Sequence, residues 1–105
     1  ETWVFPKQFQ PGLWTFNEAQ TKSFAAVLGG VVQKLDRLFE RPMPYIMALH
    51  AAPKGEEAHF HFHVEFYPAL RTADKLKYLA GTEIAAGTFA MDALPEETAK
   101  TLWAV

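Results

Sequence analysis

The 105-residue chain contains no cysteine. Disulfides and thiolate metal sites are therefore excluded, and this usage fits a reducing, cytoplasmic location. No apolar run approaches the ~18 residues that would signal a membrane span, and the N-terminus lacks the pattern of a signal peptide. Charge of one sign is also missing: 10 basic side chains stand against 12 acidic ones, for a formal net charge of −2. With no basic run to neutralise a phosphate backbone, a nucleic-acid polymer is not an expected partner. A single nucleotide stays open, since one or two positive groups and backbone amides suffice to hold it. Repeats, low-complexity tracts and linkers are absent too. The chain opens at ETWVFPK without an initiator methionine and enters as if mid-strand, so it reads as a piece of a longer protein.

What is present is the material of one domain. Half the residues are hydrophobic and 21% are charged, enough to bury roughly 65% of the surface the unfolded chain exposes. Residues 2–6 predict a short strand ended by Pro6, which cannot donate to a ladder. Pro11 and Gly12 mark a loop leading to a helix N-cap at Thr15 or Asn17. From Glu18 to about Glu40 the positions Phe24, Val27, Leu28, Val31, Val32, Leu35, Leu38 and Phe39 follow the spacing of an amphipathic helix. Gly29-Gly30 interrupts it, marking a kink, a close helix–sheet contact or simply a weak point. Arg41-Pro42-Met43-Pro44 stops the helix. Tyr45–Ala51 and residues 60–67 then predict two strands of an antiparallel hairpin, joined by a polar connection. A second helix is expected from Thr72 or Asp74 through Leu76, Tyr78, Leu79 and Ile84, ending at Gly87. A third is expected after Pro95-Glu96-Glu97. The expected class is α+β, an antiparallel sheet covered by one long and two shorter helices.

The chemistry concentrates in HFHFHVEFYP, residues 59–68. Alternation places His59, His61, His63 and Glu65 on one face and Phe60, Phe62, Val64 and Phe66 on the other. Same-face neighbours lie about 6.5 Å apart, so an adjacent pair can share an ion, whereas the ends of the series, roughly 20 Å apart, cannot. A metal site therefore needs a neighbouring pair plus ligands from elsewhere, and His50 on the preceding strand is the available one. Mixed imidazole and carboxylate ligation suits zinc or iron rather than calcium or magnesium. Two other readings stay open here: acid–base use of one imidazole, or a wet strand face that carries histidines without a task.

Several ordered segments carry a resemblance. VFPK (4–7), FERPMPYIMALHAAP (39–53), GEE (55–57), HVEFYP (63–68), LRTADKLKYLAGTE (70–83) and LPEETAKTL (94–102) resemble the C-terminal half of the galactose-1-phosphate uridylyltransferases, of the histidine-triad superfamily. The resemblance implies a histidine-triad-like fold and a full-length enzyme that exchanges uridylyl groups between UDP-glucose and galactose-1-phosphate. It also implies a nucleophilic histidine, in a His-Pro-His motif, that belongs to the N-terminal half. No such motif occurs in this chain, which by itself is then expected to be inactive. The family's metal ligands match His50, His63 and Glu65, with His61 as a substitute for Glu65 and a further glutamate supplied by the other half. Its sugar-nucleotide contacts match Lys77, Tyr78, Thr82 and Glu83, which the expected helix would set along one edge. Phe89 stands where some members carry a glutamine. The implied partners are UDP-glucose or UDP-galactose, a hexose-1-phosphate, the N-terminal half and a second subunit of a homodimer. Trp3 and Trp14 are either part of a docking surface or part of the core. A related sugar-nucleotide phosphorylase or nucleotidyltransferase, or a stand-alone metal- or nucleotide-binding module, are the alternative functions.

Overall fold

The computed structural model describes residues 1–77, 80–88, 94, 96, 97, 100 and 104. Its elements run β1 (Thr2–Val4), one turn of 3₁₀ helix (Leu13–Thr15), α1 (Glu18–Leu38), β2 (Tyr45–His50), β3 (His63–Pro68), β4 (Leu70–Thr72), β5 (Lys75–Leu76) and α2 (Gly81–Ala86). The class is α+β, as expected, with antiparallel sheets and, among the elements bounded within the described residues, one long helix and one short one. The expected third helix falls largely on residues outside those described.

The long helix begins where its cap is strongest. The Asn17 side chain accepts from the Gln20 backbone N–H at 2.8 Å, and the Gln20 side chain accepts from the Asn17 N–H at 2.9 Å. This reciprocal capping box satisfies two donors that the first turn would otherwise leave open. Phe24, Leu28, Val31, Val32 and Leu35 then lay one stripe against the sheet. Past Leu38 the chain enters a positive φ of 54° at Glu40, and Asp36 accepts the Met43 backbone N–H at 2.8 Å. Pro42 and Pro44 prevent the helix from resuming. Gly29 and Gly30 turn out to face open space: a Cβ at either would meet nothing within 4 Å. Of the three readings of that pair, the close helix–sheet contact is excluded.

The main sheet has the order β1-β3-β2, antiparallel throughout, so β3 is its centre. Period-2 alternation sends Val64 and Phe66 toward α1, where with Phe62 they are fully buried. Phe16, Phe24 and Phe62 close a triangle of edge-to-face rings, with centroids 5.5–5.9 Å apart, the arrangement aromatic quadrupoles favour. The hairpin is antiparallel as expected, but β3 starts at His63 rather than at residue 60. The reason lies in the loop before α1: the Phe62 N–H donates to the Gln10 carbonyl at 2.7 Å and the Ala52 N–H to that of Pro11 at 2.8 Å. Residues 60–62 thus find their backbone partner outside the ladder.

The second expected helix is corrected more substantially. Residues 70–76 form the small β4–β5 hairpin, with Leu70 opposite Leu76 and Thr72 opposite Lys75, and α2 begins only at Gly81. Leu70 and Ala69 are buried there, and the Lys77 N–H donates to the Ala69 carbonyl at 2.8 Å. Burial of that corner and strand pairing override the helical spacing of Leu76 and Ile84. Gly87, with φ 63°, ends α2 in the left-handed conformation expected of it.

Candidate metal centre

The opposite face of β3 carries His63, Glu65 and Tyr67. The register of the hairpin sets His50 across from His63, Ala48 across from Glu65 and Ile46 across from Tyr67, so one face of two strands collects every polar group involved. On the other side Trp3 of β1 stands across from Glu65. The imidazoles of His50 and His63 stack with centroids 4.9 Å apart. Their Nε2 atoms converge on the carboxylate between them: His63 Nε2 lies 3.1 Å from Glu65 Oε1, and His50 Nε2 lies 3.3 Å from Oε2. One ligand atom from each of the three residues falls within 4.8 Å of the other two.

The hydrogen-bond inventory shows what this cluster lacks. His63 Nδ1 sits 3.1 Å from the His61 carbonyl, so it is the protonated, donating nitrogen. Its Nε2 then faces a carboxylate oxygen. In the neutral ring two lone pairs would oppose each other at 3.1 Å, a repulsive arrangement that only a proton or a cation relieves. His50 poses the same demand: its Nε2 is fully buried and has no hydrogen-bond partner among the described residues. The 3.3 Å approach to Glu65 is within ion-pair reach but lacks the alignment of a hydrogen bond. Buried polar atoms without a partner are uncommon, and one aimed at a carboxylate and a second imidazole points to an ion.

Glu65 is only 6% exposed. Burial by itself pushes its carboxyl up, but the Tyr67 hydroxyl, the charge on His50 and the hydrogen bond from His63 outweigh burial, and it ends below the ordinary carboxylate value. Tyr67 donates its hydroxyl hydrogen to Glu65 Oε2. That bond pushes its own phenol up to about 12. An anionic, acceptor-only carboxylate between two imidazoles is a donor set that could hold a metal ion.

His61 is not part of the cluster. Its Nδ1 accepts from the Gln10 N–H at 3.3 Å and its Nε2 donates to the Pro6 carbonyl at 3.0 Å. Both ring nitrogens are thereby committed, and no lone pair is left to replace Glu65 as ligand. His59 lies exposed in the turn before the strand. Three aromatic rings, Trp3, Phe5 and Phe60, stack on His63 at 5.0–5.9 Å; Trp3 is half exposed, so it shields the cluster rather than filling the core. Tyr67 is the functional neighbour that the sequence reading passed over. Its signal was available, since it lies two residues beyond Glu65 and so on the same face.

The sugar-nucleotide candidates lie outside this cluster. Lys77 is exposed and follows β5 instead of riding on a helix; Thr82 is exposed and Glu83 partly buried in the first turn of α2. They therefore do not share a helix edge with Lys77. α2 lies against β2, and a Cβ on Gly81 would come within 3.8 Å of the Ile46 side chain. Ile46 projects from the same face as the cluster, about 13 Å along β2 from His50. Tyr78 and Phe89 lie outside the described residues.

Comparison with known proteins identifies the family. The family described as "Galactose-1-phosphate uridyl transferase, C-terminal domain" matches residues 1–105, the whole chain. The chain belongs to that family. It is 42% identical to the galactose-1-phosphate uridylyltransferase of Thermotoga maritima, over 97% of this chain and 33% of that protein. The Haemophilus influenzae enzyme of the same name is 37% identical, over 100% and 31% respectively. A solved structure described as "Structure of uridylyltransferase" superposes with a TM-score of 0.69 at 35% identity, covering 93% of this chain and 32% of that one. This galactose-1-phosphate uridyl transferase C-terminal domain thus spans roughly a third of the length of the relatives it matches. No helix among the described residues is long and apolar enough to cross a membrane.

Proposed function

We propose that this domain works in a cytoplasmic galactose-1-phosphate uridylyltransferase that exchanges uridylyl groups between UDP-glucose and galactose-1-phosphate. The nucleophilic histidine belongs to an N-terminal half, and a homodimer completes the site. The domain's own contribution is twofold: a metal centre on the β2–β3 face, and contacts to the sugar nucleotide from Lys77, Thr82 and Glu83, with Tyr78 and Phe89 beside them in sequence. The observation that carries the metal part is the buried, unpartnered Nε2 of His50 facing Glu65 and His63.

His50, His63 and Glu65 would hold the ion, with a further ligand from the N-terminal half. Bound zinc or iron would supply a positive charge that ties β2 to β3 and to that half. Around it, the His61 carbonyl fixes the tautomer of His63, and Trp3 and Phe5 keep water from one side of the ring. In the sugar part, Glu83 would accept from hydroxyls and Lys77 would face phosphate, each as a charge-assisted contact. The start of α2 on the cluster's own face, over Ile46, supports both groups serving one site.

Two variants of the whole protein test the reading. His63→Ala is expected to abolish the metal recovered with this site, read by elemental analysis. Glu83→Ala is expected to lower kcat/KM for UDP-glucose by about 10–100-fold, the value of one charge-assisted contact of about 1.5–3 kcal/mol. Unchanged metal content in His63→Ala removes the metal role, and wild-type kinetics in Glu83→Ala removes the sugar contact.

A further inference from the structure

We infer that Tyr67 is a positioning residue for the metal centre, holding Glu65 as a one-oxygen ligand through Oε1; this rests on the metal reading above. A carboxylate can meet an ion with one oxygen or with both, and the choice changes coordination number and therefore which ion is preferred. Here the two oxygens of Glu65 are not equivalent. Oε2 accepts the hydroxyl hydrogen of Tyr67. Oε1 is free of Tyr67 and meets the ring nitrogen of His63 at 3.1 Å, while His50 Nε2 lies 3.3 Å from Oε2. Rotating the carboxylate to present both oxygens to an ion would break the Tyr67 bond, a charge-assisted bond on a carboxylate only 6% exposed.

The strand makes the device rigid. Glu65 and Tyr67 are same-face neighbours on the central strand; Glu65 is paired with Trp3 on one side and Ala48 on the other, and Tyr67 with Ile46, so neither can shift without disturbing a ladder. His63 is held in the same manner by the His61 carbonyl. Two of the three candidate ligands therefore carry an outer partner supplied by the chain's own residues 61 and 67. Two imidazole nitrogens and a single carboxylate oxygen leave the low coordination number that suits zinc, or an open position for a ligand from outside the domain.

The test uses the whole protein, stripped of metal and titrated with Co(II) alone, reading the d–d bands and competing with a chromophoric chelator. Tyr67→Phe keeps the ring, and a cooperative melt of the metal-free variant verifies that it folds. The expected result is an about 10–100-fold rise in the Co(II) Kd, with weaker d–d bands as the freed carboxylate adds its second oxygen. A hydroxyl with a merely structural role would lower the melting temperature and leave the bands as they are. A Kd within twofold of wild type with unchanged bands, while His63→Ala loses them, overturns the role of Tyr67 alone. Identical bands in wild type and His63→Ala overturn the metal reading and the inference with it.

Discussion

The two faces of β3 are made from alternate residues of one short strand, and they obey different rules. Toward α1, Val64 and Phe66 are fully buried and meet only apolar neighbours. Toward the other side, His63, Glu65 and Tyr67 form a polar network roofed by rings that remain half exposed, and the network leaves His50 Nε2 without a partner. On the first face the buried strand residues leave no polar group unpaired, although Met47 and Leu49 of β2 beside them remain nearly half exposed. The second face does leave one, and a buried polar network that is only partly satisfied is less favourable than an apolar one. On the reading proposed above, a bound metal ion completes it. The stability of the domain therefore resides on the α1 face and its chemistry on the other.

Substitutions on each face should separate these properties. Phe66→Ala is expected to have the largest effect, a loss of about 3–5 kcal/mol in urea unfolding, because it opens a cavity under α1. The metal bound per folded molecule should not change. Loss of metal from the folded fraction would show that the two faces are not independent. His61→Ala comes next. It removes a bridge between the Gln10 N–H and the Pro6 carbonyl, at an expected cost of about 1–3 kcal/mol for groups left unpaired. Metal content should again be retained. A variant that lost its metal with little loss of stability would return His61 to the ligand set.

How far these faces were legible beforehand depends on the range of the interactions involved. The α1 stripe and its Asn17 cap are local, and both follow from spacing alone. So does the division of residues 63–66 between two faces. The convergence of His50 on His63 depends on the register across the hairpin, which spacing does not fix, so the residues left a choice among neighbours that only the family resemblance narrowed. His61 shows the limit well. It has the same parity as His63, yet the Gln10 carbonyl draws the Phe62 N–H out of the ladder and His61 goes with it. Residues 70–76 were misread for a related reason: their apolar spacing fits a helix, and the burial of Ala69 and Leu70 that decides for a hairpin is a tertiary fact. Tyr67 was in reach of the period-2 argument, which stopped one step early at Glu65.

The smallest expected effect probes the outer side of α1. Gly29 and Gly30 lie in the interior of a 21-residue helix, where each costs about 0.8–1 kcal/mol relative to alanine through backbone entropy. Since a Cβ at either position meets nothing within 4 Å, nothing among the described residues opposes the gain. Gly29→Ala and Gly30→Ala are each expected to stabilise by about 0.5–1 kcal/mol, read as a raised urea midpoint with an unchanged slope. The sign of the result is informative in the whole protein. If either variant is neutral or destabilised there, another part of the protein packs closely on that stretch, and the glycines serve a contact made outside this domain. In that event α1 would resemble the metal face, with residues chosen for a neighbour that the domain does not itself contain.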